Sequence, residues 1–406
     1  MVENKLLYFS VKIKHFLLLN TKTNMNKSIF CVACLLISFS GFSQTYEFRT
    51  VKDIEATPVI SQDKTGTCWS FATTSFLEAE IIRITGKKID LSEMYNVRNT
   101  YLDKAENYVS RQGKTQFGEG GLSHDVINSA RKYGIVPESN FIGKINPDDT
   151  YNHDKMEAEL EAIVKKAVAD TPKNYTNWKA DYAAVLDTYL GTFNDQGKEI
   201  SSKQFIENNK FTIEGKPLSP KEFLGTTKLN LDDYVTITSY TNEPFYSKFI
   251  LNIPDNFSNG SMYNLPLDEF IQNIDNALDK GFTVALDTDV SEDTFSKANG
   301  LAVIPENEYD TKAILTEIKP EKNITPEYRQ AEFENYDTQD DHLMHIVGKV
   351  VDQKGNKYYK VKNSWGAKAG REGYFYMSVP YIRLKAISVM VNKDGLTKKT
   401  KSAIGV

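Results

Sequence analysis

The sequence predicts an α+β protein of two lobes, helical first and sheet-rich last, with a long mixed insertion between them. Three observations carry this. An apolar run with helical spacing opens the chain's working part, "CWSFATTSFLEAEIIRITGKK" from Cys68 to Lys88. Strict alternation and a turn dominate the last third, in "HLMHIVGKVV", "DQKGNK" and "YYKVKNSWG". Residues 44–406 are also more than enough for a large core.

In the first run Ala72, Phe76 and Ala79 form one stripe and Leu77, Ile81 and Ile84 another, so the helix is buried on several sides and stops at Gly86. A second helix is expected over "LSEMYNVRNTYLDKAENYV" and a third over "SHDVINSARKYG". Helix continues from Met156 to Leu190, broken at Pro172. In "LSPKEF", Ser219 as cap, Pro220 first and Glu222 third make a capping signature. A helix from Leu267 to Lys280 leads through Gly281 into the strand "FTVALDTDV". The hairpin follows, then a strand at "REGYFYMSV".

Residues Met25 to Ser43, "MNKSIFCVACLLISFSGFS", have a basic lead, an apolar centre and small Gly41 and Ser43 at the end, the layout of a secretory signal peptide. Residues 1–24 read as an upstream extension, and 44–406 as the mature domain, with an insertion at about 141–335. Export is therefore expected, to a periplasm or the medium, with no membrane attachment after signal cleavage. The 49 Lys and Arg against 54 Asp and Glu form no basic stripe, which argues against nucleic acid as a partner. A homo-oligomer stays open.

Of three cysteines, Cys31 and Cys34 fall in the signal, so Cys68 remains alone in the mature chain. A lone cysteine is most often a small buried hydrophobe. Cys68, however, opens a helix, where the N-terminal dipole favours thiolate, and an imidazole neighbour would lower its pKa further. Of His124, His153, His342 and His345, hairpin arithmetic favours His342. The turn near Gly355 brings it within a diagonal step of Asn363, whose amide could hold the ring towards Cys68. His345 points to the opposite face and is expected to be packing or surface. Gln62, six residues before the thiol, could join the Cys68 N–H in stabilising an oxyanion. Taken together, these residues describe a Cys-His-Asn acyl-transfer site that needs no metal and no cofactor.

The blocks "PVISQDKTGTCWSFA", "GEGGLSHDVINSARKYGIVPE", "DHLMHIVG" and "YYKVKNSWG", in this order, resemble those of papain-like cysteine peptidases. The resemblance implies the papain-like fold, with a helical lobe carrying the nucleophile and a sheet lobe carrying His and Asn. It implies Cys68 as nucleophile, His342 as base, Asn363 as its orienter and Gln62 as oxyanion donor. It also implies a peptide or protein substrate, met by Trp69, Trp365 and the Gly120–Gly121 pair, whose open backbone would receive the substrate as an added strand. Within the family, "TGTCW", the "LSEMYNVRNTYLDKAE" helix and the long insertion are closer to the bleomycin hydrolase and aminopeptidase C group. That group holds its substrate's amine with a C-terminal arm, for which "MVNKDGLTKKTKSAIGV" looks too short and too lysine-rich. The readings left open are an aminopeptidase, an endopeptidase of papain type, a related acyl transferase or amide hydrolase, and a catalytically inactive peptide-binding scaffold.

Overall fold

A computed structural model describes residues 46–193 and 199–406. The expected signal at 25–43 and the segment before it lie outside the described residues. Residues 45–406 form one compact unit, and no helix among the described residues is long and apolar enough to cross a membrane.

After the strand β1 (Phe48–Asp53) comes the central helix α1 (Cys68–Thr85). It ends at Gly86, whose φ of +71° is a left-handed conformation open to glycine, and its N–H closes the last turn on Ile82 O at 2.8 Å. Fourteen of its residues are buried, in keeping with the several apolar stripes. Around it pack α2 (Glu93–Ser110), α3 (Ser123–Tyr133), α4 (Asp154–Ala169) and α5 (Trp178–Tyr189). Ser92 caps α2 by accepting from the Tyr95 N–H at 3.1 Å. The expected break at Pro172 is present, since a short helix at Thr171–Asn174 separates α4 from α5. The Ser219–Glu222 capping box is also formed, at the head of Pro220–Thr227.

The second lobe contains β2 (Tyr234–Thr238), α6 (Leu267–Asp279), β3 (Val284–Thr288), β4 (His342–Asp352), β5 (Lys357–Lys362), β6 (Tyr374–Ser378), β7 (Ala386–Asn392) and α7 (Lys398–Ile404). These strands lie in one sheet in the order β6-β5-β4-β3-β7-β2, and β1 pairs with the far half of β4. This corrects the expected insertion boundary. The range 141–335 does not leave the fold as a block, because β2 and β3 inside it are sheet strands and β3 lies between β4 and β7. Strand β3 was expected as a strand, but neither it nor the half-buried β2 carries a local sign of its partners in the sheet.

The two faces of the sheet separate two cores. Ala285 and Leu343 face α1 and join the helical core with Phe76, Met94 and Leu160. Leu286, Met344 and Ile346 face the other way, onto Phe270 and Ile274 of α6 and Ile404 of α7. Helix α7 is tied to α6 by Asn273, which donates to Thr400 Oγ1 and accepts from the Thr397 N–H, both at 2.8 Å. The Thr397–Val406 segment therefore packs on the face of the sheet turned away from Cys68.

Candidate active site

Cys68 is the first residue of α1, and Thr67 before it makes no side-chain cap, so the first-turn N–H groups, that of Cys68 included, have no side-chain acceptor. The Leu343 N–H points at the Cys68 sulfur. The thiol is thereby placed at the start of β4, one residue from His342.

At that strand end His342 Nε2 and Asn363 Oδ1 are 2.8 Å apart. Asn363 Oδ1 also accepts the Ser364 N–H at 2.7 Å, which fixes the amide with its oxygen towards the ring. A carbonyl oxygen only accepts, so Nε2 carries the ring proton and Nδ1 of the neutral imidazole is left as the free base. The Trp365 ring lies over the imidazole, with centroids 4.8 Å apart and a tilt of 32°, and covers the His-Asn bond. The hairpin register opposes His345 to Lys362, which puts His342 just past the last paired residue and Asn363 in reach.

His345 occupies the other face. Lys362 Nζ donates to Ser75 Oγ at 2.8 Å, which frees the Ser75 hydroxyl to donate to His345 Nδ1 at 3.0 Å. Burial and the Lys362 charge hold His345 well below the ordinary imidazole range, so it is a neutral packed residue. Of the other histidines, His124 bonds Ser258 Oγ at 2.9 Å beside Asp125. His153 is buried at the head of α4 and pushed down to about 4.

Gln62 is clamped across the lobes. Its Nε2 donates to Thr65 O at 2.7 Å, its Oε1 accepts from Ser364 Oγ at 2.5 Å, and its backbone N–H reaches Ser364 O at 2.9 Å. One amide proton remains for a ligand.

Three expectations need correction. Trp69 is fully buried, and its Nε1 donates to Glu119 O at 2.9 Å; the ring braces the Glu119–Gly121 loop against α1 and does not meet substrate. The missing side chains of Gly120 and Gly121 serve close packing. A Cβ on Gly120 would overlap the Asp255 carboxylate, and one on Gly121 would stand 3.1 Å from the Trp69 ring. The thiol is not acidified. Burial first, then Asp255, Asp340 and Asp287, push Cys68 up to about 12, outweighing the Leu343 N–H. Burial likewise lowers His342, against the Asn363 bond. Each group taken alone thus favours its neutral form, which biases the resting pair towards thiol and imidazole.

These carboxylates were missed in the sequence, although "VALDTDV" held a signal: an acid inside an apolar strand run. Asp287 is 2 % exposed on β3, directly opposite Leu343. A second polar layer lies beneath the site. Lys362 Nζ also donates to Thr57 Oγ1 at 3.1 Å, Thr57 bonds Glu78, and Glu78 Oε1 accepts the Leu91 N–H at 2.7 Å. It ties the strand of Asn363 to α1 and to the head of α2.

A thiol at a helix start, an imidazole with its free nitrogen fixed, and an adjacent N–H pair can together form and hydrolyse a thiol ester. Comparisons with known proteins agree with that chemistry. The chain is 23% identical over 369 residues to aminopeptidase G of Lactobacillus delbrueckii subsp. lactis, covering 84% of this chain and 82% of the relative. It is 25% identical over 385 residues to aminopeptidase E of Lactobacillus helveticus, covering 86% and 84%. Its fold matches the crystal structure of PepW from Lactobacillus rhamnosis HN001 with a TM-score of 0.68, over 97% of this chain and 93% of that one, at 17% identity. The pattern of the Peptidase C1-like family matches residues 40–405. The chain belongs to the Peptidase C1-like family and is a cysteine-type peptidase.

Proposed function

We propose that the protein is an aminopeptidase of the bleomycin hydrolase type. Cys68 is the nucleophile, His342 the general base and then acid, and Asn363 the residue that orients the ring. The observation that carries this is the 2.8 Å His342–Asn363 bond at the strand end whose next N–H meets the Cys68 sulfur. Because the resting pair is biased towards neutral thiol and imidazole, proton transfer from Sγ to Nδ1 accompanies attack on the substrate carbonyl. The Cys68 N–H and the remaining Gln62 Nε2–H receive the oxyanion. The imidazolium then gives its proton to the leaving amine, and water releases the acyl group by the same route in reverse. The preference for a free amine is supported by the similarity to aminopeptidases G and E. Export is part of this reading and rests on the sequence of residues 25–43.

The test compares an amino-acid fluorogenic amide with its N-acetylated twin. At least tenfold faster cleavage of the free amine supports the reading. Equal cleavage makes the protein an endopeptidase, and cleavage of neither makes it a scaffold.

A further inference from the structure

Residues 251–260, between β2 and α6, are tied to both lobes beside the site. Asn256 folds this segment on itself: its Oδ1 accepts the Gly260 N–H at 2.7 Å, and its Nδ2 donates to Leu251 O at 2.9 Å and to Gly260 O at 3.0 Å. On the helical side, Phe257 O accepts from Asn107 Nδ2 of α2 at 3.3 Å. Ser258 Oγ donates to Asp125 Oδ1 of α3 at 2.7 Å and stands 2.9 Å from His124 Nε2. The His124 ring presses so closely on Gly260 that a Cβ there would overlap it. On the sheet side, the Asp255 N–H donates at 3.2 Å to Oδ2 of Asp340, two residues before His342. The segment therefore bridges the cleft and is held at both edges.

The end of the cleft it bridges is the acyl end. His342 returns its proton to the leaving amine, so the leaving part of a substrate lies towards His342 and Trp365. The acyl part lies on the other side of the thiol, along the Glu119–Gly121 loop that Trp69 braces. A longer acyl part would need the open backbone of Gly120 as its strand partner. That backbone is already engaged. Gly120 O accepts from Lys104 Nζ, and Lys104, only 5 % exposed, also lies 5.2 Å from the centroid of the Phe257 ring. The space a Gly120 side chain would fill holds the Asp255 carboxylate. Among the acids that act on the Cys68 sulfur Asp255 has the largest influence, which places this filled space beside the nucleophile.

We infer that residues 251–260 form a fixed wall across the acyl end of the cleft, with Asp255 as its face, and that this wall limits the acyl part of the substrate to its N-terminal residue. Selection is by exclusion. Each further residue needs about 3.5 Å of extended chain, and an acetyl group or a preceding residue would have to displace a side chain whose segment is held from both lobes. The inference rests on the aminopeptidase reading and names the feature that enforces it. The Thr397–Val406 segment has no part in it, since it packs on the sheet face turned away from Cys68.

The test measures kcat/KM for a leucine fluorogenic amide, its N-acetyl twin and the acetyl-Gly-Leu amide. Asp255→Gly removes the face of the wall, and Asn256→Ala removes the three bonds that fold it. Each should raise kcat/KM for both blocked substrates about tenfold or more in absolute terms, chiefly through KM. A gain of activity cannot come from a damaged fold, and either variant suffices if the other fails to fold. Asp255→Asn keeps the bulk without the charge and should give no gain; a gain equal to that of Asp255→Gly overturns exclusion by shape in favour of charge. An unchanged free-to-acetylated ratio in Asp255→Gly and Asn256→Ala overturns the wall and leaves the aminopeptidase reading standing. Equal cleavage of the free and acetylated amides by the wild type rejects both. Should the wild type cleave nothing, the aminopeptidase reading fails, and calorimetry of N-acetyl-leucinamide on Cys68→Ala decides the wall. Binding that appears only when Asp255→Gly is added upholds it, and binding without that change, or in neither protein, rejects it.

Discussion

His342 commits Nε2 to Asn363 Oδ1 at 2.8 Å, under the Trp365 ring, and so presents Nδ1 as its one free nitrogen. His345, three residues along the same strand, faces the opposite side and is held by Ser75. Substitution of the two should therefore have different consequences. His342→Ala is expected to lower kcat by roughly 10²–10⁴, the range for loss of a general base. His345→Ala should leave kcat within a few fold and lower stability by about 1–3 kcal/mol, since Ser75 and Lys362 lose a buried partner. Steady-state kinetics and denaturant melts check both, and the reverse pattern would mean the wrong histidine is the base.

Asn363→Ala should reduce kcat less than His342→Ala, by roughly 10–10² fold, because the ring keeps its chemistry and loses only its fixed pose. Trp365→Ala should act in the same direction, more weakly, by wetting the His-Asn bond. Kinetic constants unchanged in both would remove this hairpin end from the site.

The fold's helices and the catalytic hairpin were legible because each carries a local device. Gly86 stops α1 with a left-handed residue, Ser219 and Glu222 cap each other, and the alternation of "HLMHIVG" alone separates His342 from His345. What stayed hidden is set by long-range partners. Strands β2 and β3 read as parts of an insertion because strand pairing between residues a hundred positions apart leaves no local mark. The thiol's acidity was misjudged for the same reason: helix position is visible in sequence, but the carboxylates of Asp255, Asp287 and Asp340 meet Cys68 only in the folded chain.

The bias towards a neutral resting pair predicts the pH dependence. The base is active when unprotonated, and burial holds His342 below 6.5, so the acid limb of kcat/KM should lie below pH 6.5. Cys68 is pushed up to about 12, so its ionisation should add no alkaline limb below pH 9, and alkylation of the unliganded enzyme should still be rising there. An alkylation rate that reaches a plateau near pH 5 would instead demonstrate a standing ion pair.

Glu138, beside the polar layer under the site, is raised from 4.5 to about 8, burial being the largest cause and Asp90 the next. The folded chain thus holds this proton more tightly than the unfolded one. Its favourable contribution is complete below pH 4.5 and is lost as pH rises towards 8. Glu138→Gln, neutral at every pH, should raise the melting temperature relative to wild type at pH 8 and change it little at pH 5. Calorimetric scans at the two pH values check this, and a larger gain at pH 5 would contradict the assignment.

The nucleophile can be tested most directly by intact-protein mass spectrometry after treatment with a peptidyl epoxide, with hydrolysis followed in parallel. A single adduct is expected, mapped to Cys68, that abolishes turnover, with strong slowing of that labelling in His342→Ala and neither adduct nor hydrolysis in a folded Cys68→Ala. Hydrolysis that persists in Cys68→Ala, or that survives complete labelling of Cys68, would contradict it.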